Sequence, residues 1–261
     1  MDLKVKKEVY QIQKASLWKR FGAALLDLIL IAIVASGIMV VISEIADYDT
    51  KQAQLESYYQ EYEDTYGVDF NISLEEYEAL SASEKELYEE VTKLLNEDDR
   101  VVGLYNIIIN LMLLMTSIGL LVAVLLIEFI IPLIFKNGQT LGKKCFALCL
   151  VKSNSVKVNT FSLFVRSFIG MYTIELMIPL YVFILIMFGG SGGVFLLLAL
   201  GIILFNLILL IATKDNQFIH DAFAYTVVVD KTVQMIFEND QELIEFKKEL
   251  HKNEVENNKK Y

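Results

Sequence analysis

FGAALLDLILIAIVASGIMVVI (Phe21–Ile42) is an apolar run that contains a single acid, Asp27. A helix that crosses the hydrocarbon core of a bilayer needs about 20 such residues. Three further runs are long enough to do so: Ile107–Phe135, Phe168–Phe188 and Val194–Ala212. The mean hydropathy of the chain is +0.46. The sequence therefore predicts an all-α membrane protein built as a four-span transmembrane helical bundle.

The net charge of −10 is unevenly distributed along the chain. Residues 44–102 hold more than half of the 33 acidic side chains and only four of the 23 basic ones. The segment before the first run and the loop after the second run are basic instead. Because basic loops stay on the cytoplasmic side, these two fall inside and the acidic segment falls outside. Four spans then place both termini in the cytoplasm of a multi-pass protein of the cell (plasma) membrane.

This topology divides the chain into eight segments. They are a cytoplasmic amphipathic N-terminus (1–20), a first span (21–43), an extracytoplasmic acidic helical insert (44–102), a second span (107–135), a cytoplasmic loop with a hairpin and an interfacial helix (136–166), a third span (168–188), a fourth span (194–212), and a cytoplasmic strand with a charged tail (213–261). In the insert, the Ser-x-x-Glu patterns that begin at Ser73 and Ser83 predict two capped helices.

A small strand motif is predicted on the cytoplasmic side. Leu148–Lys152 and Val156–Asn159 flank a Ser-Asn-Ser turn, which indicates a β-hairpin. Tyr225–Val229 is a further apolar segment of strand type, and we expect it to pair with the first strand of the hairpin. Thr160 is expected to cap the helix that leads into the third span.

The sequence favours neither an enzyme nor a metal site. Cys145 and Cys149 lie four residues apart in the cytoplasmic loop, where thiols stay reduced. Only His220 and His251 could join them as soft ligands, so we interpret both cysteines as packing residues. The sequence contains no phosphate-binding loop after a strand and no zinc-protease spacing, and two histidines make a Ser/His/Asp set unconvincing. No cofactor is predicted.

Two more acids, Glu128 and Glu175, lie inside apolar runs, and each precedes one of the chain's two prolines by four residues. Pro132 and Pro179 lack the N–H that would bond the carbonyl of the glutamate. Each kink would then present a carboxylate and a free carbonyl oxygen, which suits a monovalent cation or a proton. The alternative is a structural kink in which a base such as Arg166 neutralises the glutamate.

Arg20 and Asp27 are two helical turns apart, so they lie on one face with a rise of about 10 Å between them. The residues from Arg20 to Asp27, RFGAALLD, resemble the opening signature of the RDD family of membrane proteins. Three later segments of this chain resemble further motifs of that family, and they occur in the same order. They are GQTLGKK (Gly138–Lys144), the segment Thr160–Arg166, and His220-Asp221 followed by AYTVVV.

The resemblance implies that Arg20, Asp27 and Asp221 are the arginine and the two aspartates for which the family is named. It covers residues 17–43, 107–188 and 214–230, whereas the insert is unusually long for the family's first loop and the shortest members have three spans. Cation–proton exchange has been proposed within the family, but most members have no established activity. The resemblance therefore implies the fold more strongly than the function.

The pair His220-Asp221 admits two interpretations. It can be a pH-sensitive pair at the cytoplasmic mouth of the bundle. It can also be a hydrogen-bonded junction between a helix and a strand, in which Asp221 neutralises a nearby base. The sequence leaves both open.

Two functions from different classes follow. In the first, the protein is a transporter that exchanges a monovalent cation or a small solute for protons. Glu128 and Glu175 would bind the solute, and Asp27 and Asp221 would relay protons or gate at the cytoplasmic end. Four spans are few for a pore, so this function predicts a homo-oligomer. In the second, the protein is an accessory, regulatory or immunity-type protein whose insert acts on a membrane protein partner.

The basic cytoplasmic segments lie next to the lipid bilayer. We therefore expect them to meet anionic lipid and no nucleic acid.

Overall fold

The computed structural model of the protein describes residues 10–182 and 192–258. Three helical stretches are long and apolar enough to cross a membrane: Leu17–Ile45, Asp99–Phe135 and Thr160–Val182. A fourth apolar helix, with side chains described over Leu196–Ala212, is shorter. The end of the predicted third span and most of the glycine-rich turn after it lie outside the described residues.

The described chain is mostly helical. Its α-helices are α1 (Leu17–Ile45), α2 (Tyr48–Tyr66), α3 (Leu74–Ala79), α4 (Ala82–Glu97), α5 (Asp99–Val124), α6 (Ile131–Phe135), α7 (Leu141–Cys145), α8 (Thr160–Phe164), α9 (Gly192–Ala212), α10 (Ile219–Phe223) and α11 (Asp240–Asn258). Two π-helical segments, π1 (Leu125–Ile130) and π2 (Val165–Glu175), continue α5 and α8. The strands are β1 (Leu148–Lys152) and β2 (Thr226–Asp230).

The chain folds into two compact units. One unit consists of residues 1–36 and 119–261, and the other of residues 37–118. α1 and α5 each begin in one unit and end in the other. The unit 37–118 contains α2, α3 and α4, and α2 packs on α4. Aromatic rings fill the space between its helices: Tyr59 with Phe70, Phe70 with Tyr88, and Tyr77 with Tyr88, with ring centroids 5.2–5.8 Å apart.

Two serines cap helices in this unit, each with a glutamate three residues later. Ser73 and Glu76 form the capping box predicted at the start of α3. The second box is formed by Ser81 and Glu84, so the prediction of a box at Ser83 is wrong. α4 begins at Ala82, which places Ser83 inside the helix and leaves the cap position to Ser81.

β1 and β2 pair antiparallel, from Leu148 opposite Asp230 to Lys152 opposite Thr226. This confirms the predicted pairing of the loop strand with the strand near the C-terminus. The described residues ahead of α1 also run beside this sheet, because Lys14 bridges Val229. The part of the amphipathic N-terminus that the structure describes is therefore strand-like just before α1.

The predicted hairpin partner at Val156–Asn159 forms only in part. Lys157 bridges Val151 of β1 antiparallel, and the Lys152 N–H donates to the Val156 carbonyl at 2.8 Å. Val156 bridges Phe237 instead of β1, and its side chain is buried with Phe237, so the pairing with β1 does not extend into a strand. The cap of α8 is Asn159 instead of the expected Thr160. The Asn159 side chain accepts a hydrogen bond from the Ser162 N–H at 2.8 Å.

Candidate functional site: a cavity lined by ion pairs

The buried face of α1 carries two charges. Its buried residues are Arg20, Ala23, Asp27, Ile31 and Ala35, which form one stripe at spacings of three or four. Asp27 is only 2% exposed and Arg20 7%. A charge at this depth needs a partner, so the question is which group approaches each of them.

Asp27 is bound by the part of the 136–166 loop that forms the cap and the first turn of α7. Its Oδ1 accepts from the backbone N–H of Gly142 at 2.8 Å, and its Oδ2 accepts from the hydroxyl of Thr140. The ammonium of Lys143 lies 3.8 Å from the same Oδ2. That ammonium also lies 3.1 and 3.4 Å from the two carboxylate oxygens of Glu128. One lysine is thus shared by two carboxylates that the sequence places in different spans.

Gly142 makes this approach possible because it has no side chain. A Cβ at this position would lie 2.2 Å from the carbonyl oxygen of Ala23 and 2.8 Å from the carboxylate of Asp27. Both obstacles are fixed, since one is helix backbone and the other is hydrogen-bonded to the same loop. The glycine therefore sets how closely the loop packs on α1.

Asp221 is the centre of a second cluster. It is fully buried, 3.2 Å from Nη2 of Arg20 and in contact with Nη1 of Arg166. Its Oδ2 also accepts from the backbone N–H of Phe218 at 3.3 Å. Burial raises the pKa of Asp221, but the charges of Arg166 and Arg20 outweigh this and hold the pKa at about 2. Asp221 is therefore ionised, and Arg20 donates a further hydrogen bond to the carbonyl of Asn216.

Glu175 and His220 form the third pair. Glu175 accepts from the backbone N–H of His220 at 3.0 Å, and its second oxygen lies 2.7 Å from Nδ1 of the imidazole. The other ring nitrogen lies 3.8 Å from Oδ2 of Asp221. Gly170 lets π2 and α10 meet here, because a Cβ on it would lie 2.6 Å from Cα of His220. The imidazole ring therefore lies between the carboxylates of Glu175 and Asp221.

Both intramembrane glutamates lie in irregular helix. Glu128 is in π1, and Glu175 is the last residue of π2. π-helical segments are rare and are frequent at functional sites. The third apolar stretch is also broken, because Met177 has a φ of +53° and a new helical segment begins at Ile178. The predicted kink at Pro179 is thus a break, with the proline in a first helical turn, where its missing N–H costs little.

A cavity of about 380 Å³ lies among these groups. Its charged lining consists of Arg20, Asp27, Glu128, Lys143, Arg166, Glu175 and His220. Asp221 lies directly behind the wall, against both arginines. The rest of the lining is mostly apolar, with Ala23, Leu28, Met171, Ile203 and Leu207 among its members and Asn206 as a neutral polar group. Four carboxylates thus face three permanent cations and one histidine.

The structure gathers every predicted candidate side chain except the two prolines in or behind this one cavity. It does not pair Arg20 with Asp27, although they lie on one face of α1. Each binds a partner from a distant part of the chain instead.

Sequence reasoning missed Lys143 as the shared partner of Asp27 and Glu128, and it missed Asn206. Asn206 accepts from the Ile219 N–H at 2.9 Å and so ties α9 to α10. It is the one polar side chain between Leu196 and Ala212, a signal that the sequence offered.

The RDD family model matches residues 14–225, which include every charged residue of the cavity wall. The chain belongs to the RDD family. No curated protein and no solved structure gives a significant match. RDD membership and the apolar helices together identify a membrane protein. Of the three residues that the resemblance assigns to the family signature, Arg20 and Asp221 bind each other, and Asp27 lines the same cavity as Arg20.

The two cysteines of this RDD protein lie outside the cavity. Cys145 is exposed, and Cys149 is buried in β1, where burial raises the pKa of its thiol to about 11. Within residues 10–182 and 192–258, no three His, Cys, Asp or Glu side chains are grouped closely enough to hold a metal ion.

Proposed function

We propose that this RDD protein is a multi-pass carrier of the cell membrane that exchanges a monovalent cation or small solute for protons through the 380 Å³ cavity. The distribution of basic residues supports cytoplasmic termini, four spans and an extracytoplasmic insert. Four spans leave little room for a complete pathway in one subunit. The proposal therefore includes a homo-oligomer.

The observation that carries the proposal is the charge balance of the cavity. Four carboxylates against three permanent cations leave one negative charge unless a proton or a cation is held there. A net charge within a membrane protein is costly, so the site holds a neutralising ion or exchanges one for another. In the proposal that proton resides between Glu175 and His220, because a carboxylate oxygen of Glu175 lies 2.7 Å from Nδ1 of the imidazole on the cavity wall.

Glu175→Gln is expected to abolish cation-dependent proton flux while leaving the protein folded. The amide keeps the shape and can still accept from the His220 backbone, but it cannot take up the exchanged charge. Stability should change by less than about 1 kcal/mol, because the amide oxygen still accepts from the His220 N–H and no arginine or lysine loses its partner. The measurement is proton flux in liposomes that contain the purified protein, with Na⁺, K⁺ and Li⁺ added in turn.

Glu238→Gln is the matched control for that experiment. Glu238 is exposed and pairs with Lys157 at 2.7 Å, away from the cavity. Flux should be as in the wild type. A wild-type protein with no cation-dependent flux, or a Glu175→Gln variant with full flux, contradicts the carrier.

An accessory or regulatory role is the second candidate, and the insert favours it. Residues 37–118 form a compact unit with an aromatic interior and two capping boxes, which a simple carrier does not need. In this proposal the acidic unit binds a membrane protein partner outside the cell.

Deleting residues 44–102 and joining Ser43 to Gly103 through a short linker is expected to leave the rest of the protein folded. The whole of the removed segment belongs to the unit 37–118, whereas all the ion pairs of the cavity belong to the other unit. Size-exclusion chromatography in detergent should give one symmetric peak, and the carrier predicts retained flux. An aggregated variant would show that the membrane helices depend on the insert.

A further inference from the structure

A second cavity, of about 480 Å³, lies in the same unit but shares no residue with the first. Its lining is mainly polar and comes from four parts of the chain: Tyr10–Ile12 with Lys14, Ser153–Ser155, Lys214 with Asp215, and Lys247 of α11. We propose that this cavity binds the phosphate headgroup of an anionic phospholipid. The inference goes beyond the carrier and does not depend on it.

The charge of the wall favours an anion. Three lysines face one acid, Asp215. Across residues 10–182 and 192–258, none of the three ammonium groups makes an ion pair with a carboxylate. Lys247 lies 5.6 Å from the centroid of the Tyr10 ring, a contact that holds the side chain over the cavity without neutralising it. Ser155 and Asn154 add polar groups of the tight turn after β1.

The position of the cavity favours a lipid over a soluble anion. Lys14 lies three residues before α1, and Lys214 lies two residues after the apolar helix α9 ends. The start of α1, a candidate membrane helix, and the end of the shorter apolar helix α9 thus both lie beside this cavity. Trp18, the single tryptophan of the chain, lies one turn from Lys14 and is 83% exposed, a feature of side chains that sit among lipid headgroups. Lys14 and Lys214 both line the cavity in which the phosphate would bind.

The test uses the full chain in detergent, titrated with dihexanoyl phosphatidylglycerol, dihexanoyl phosphatidylcholine and glycerol phosphate. Trp18 fluorescence reports binding, and native mass spectrometry counts the lipids retained. We expect saturable binding of phosphatidylglycerol in preference to the zwitterionic lipid. Lys214→Gln with Lys247→Gln should weaken that binding on the order of tenfold, since each lysine near an anionic surface contributes about as much as a few-fold change in affinity.

Lys248→Gln with Lys252→Gln is the matched control, because it removes two charges from α11 outside the cavity lining. Retained phosphatidylglycerol binding in this control supports the site. Equal loss in both double variants indicates diffuse attraction and overturns it, as does a wild type that binds the two lipids equally. Glycerol phosphate binding as tightly as the lipid would assign the cavity to a soluble phosphate and would also overturn the proposal.

Discussion

Replacing Asp221 by asparagine is expected to destabilise the protein by roughly 3–5 kcal/mol, the usual cost of removing one partner from a buried ion pair. Asp221 is fully buried and is shared by Arg20 and Arg166. Asparagine keeps the shape of the side chain but leaves two buried guanidinium groups facing a neutral amide. The melting temperature in detergent, followed by circular dichroism, should fall by roughly 10 °C.

Asp230→Asn provides the matched control. Asp230 also pairs with a base, but its partner, Lys19, is 44% exposed. An exposed ion pair contributes about 0–1 kcal/mol, so the melting temperature should change by no more than about 2–3 °C. Equal decreases in melting temperature from the two substitutions would show that the Asp221 cluster stabilises the fold no more than a surface ion pair does.

Acid titration tests the same cluster in the wild-type protein. The pKa of Asp221 is about 2 in the folded state, below its ordinary value of 3.8. The stabilisation is therefore fully present above pH 3.8 and is lost as the pH falls towards 2. Asp230 titrates in the same direction, because hydrogen bonds from Lys19 and Thr232 lower its pKa to about 2. The decline in melting temperature between pH 4 and 2 should be shallower in Asp221→Asn than in the wild type.

Gly142→Ala is expected to be the other severe change. The added methyl carbon would lie 2.2 Å from the Ala23 carbonyl oxygen, so the loop must move away from α1. That movement breaks the hydrogen bond from Gly142 to Asp27 and separates Lys143 from its two acids. Overpacking and a lost hydrogen bond to a charged group together cost roughly 3 kcal/mol or more. The yield of monodisperse protein and its melting temperature measure this loss.

Gly201→Ala is the comparison for that substitution. Gly201 lies in α9, and a Cβ there would meet nothing within 4 Å. The same one-carbon addition should leave the yield and the melting temperature within about 2 °C of the wild type, because alanine is favoured over glycine inside a helix. If Gly142→Ala had as little effect as Gly201→Ala, the inference that Gly142 is needed for close packing of the loop on α1 would be wrong.

The sequence predicted the helical membrane class, the acidic helical insert and the partner strands, because each leaves a local pattern. A long apolar run indicates a membrane span, Ser-x-x-Glu indicates a helix start, and a continuous run of β-branched residues indicates β2. Predictions that required the exact residue at which a helix begins were less accurate. The box at Ser83 and the cap at Thr160 were both displaced by a neighbouring side chain of similar chemistry.

The partners of the charged side chains could not be read from local patterns. Arg20 and Asp27 share a helical face, yet Arg20 binds Asp221 and Asp27 binds the loop at Gly142. Which pairs form depends on how distant segments pack, and a single sequence does not encode that visibly. The π-helical segments were missed for the same reason, since a backbone shift of one residue has no signature in hydropathy.

The pairing of Arg20 with Asp221 has a consequence for biosynthesis. The two residues are 201 positions apart. At about 5–20 residues per second, the ribosome needs about 10–40 s to reach the aspartate after it has made the arginine. Asp27 likewise precedes Gly142 by 115 positions. The nascent first helix therefore arrives at the membrane with both charges unmatched, and water, the insertion machinery or lipid phosphates must solvate them until the later segments are translated.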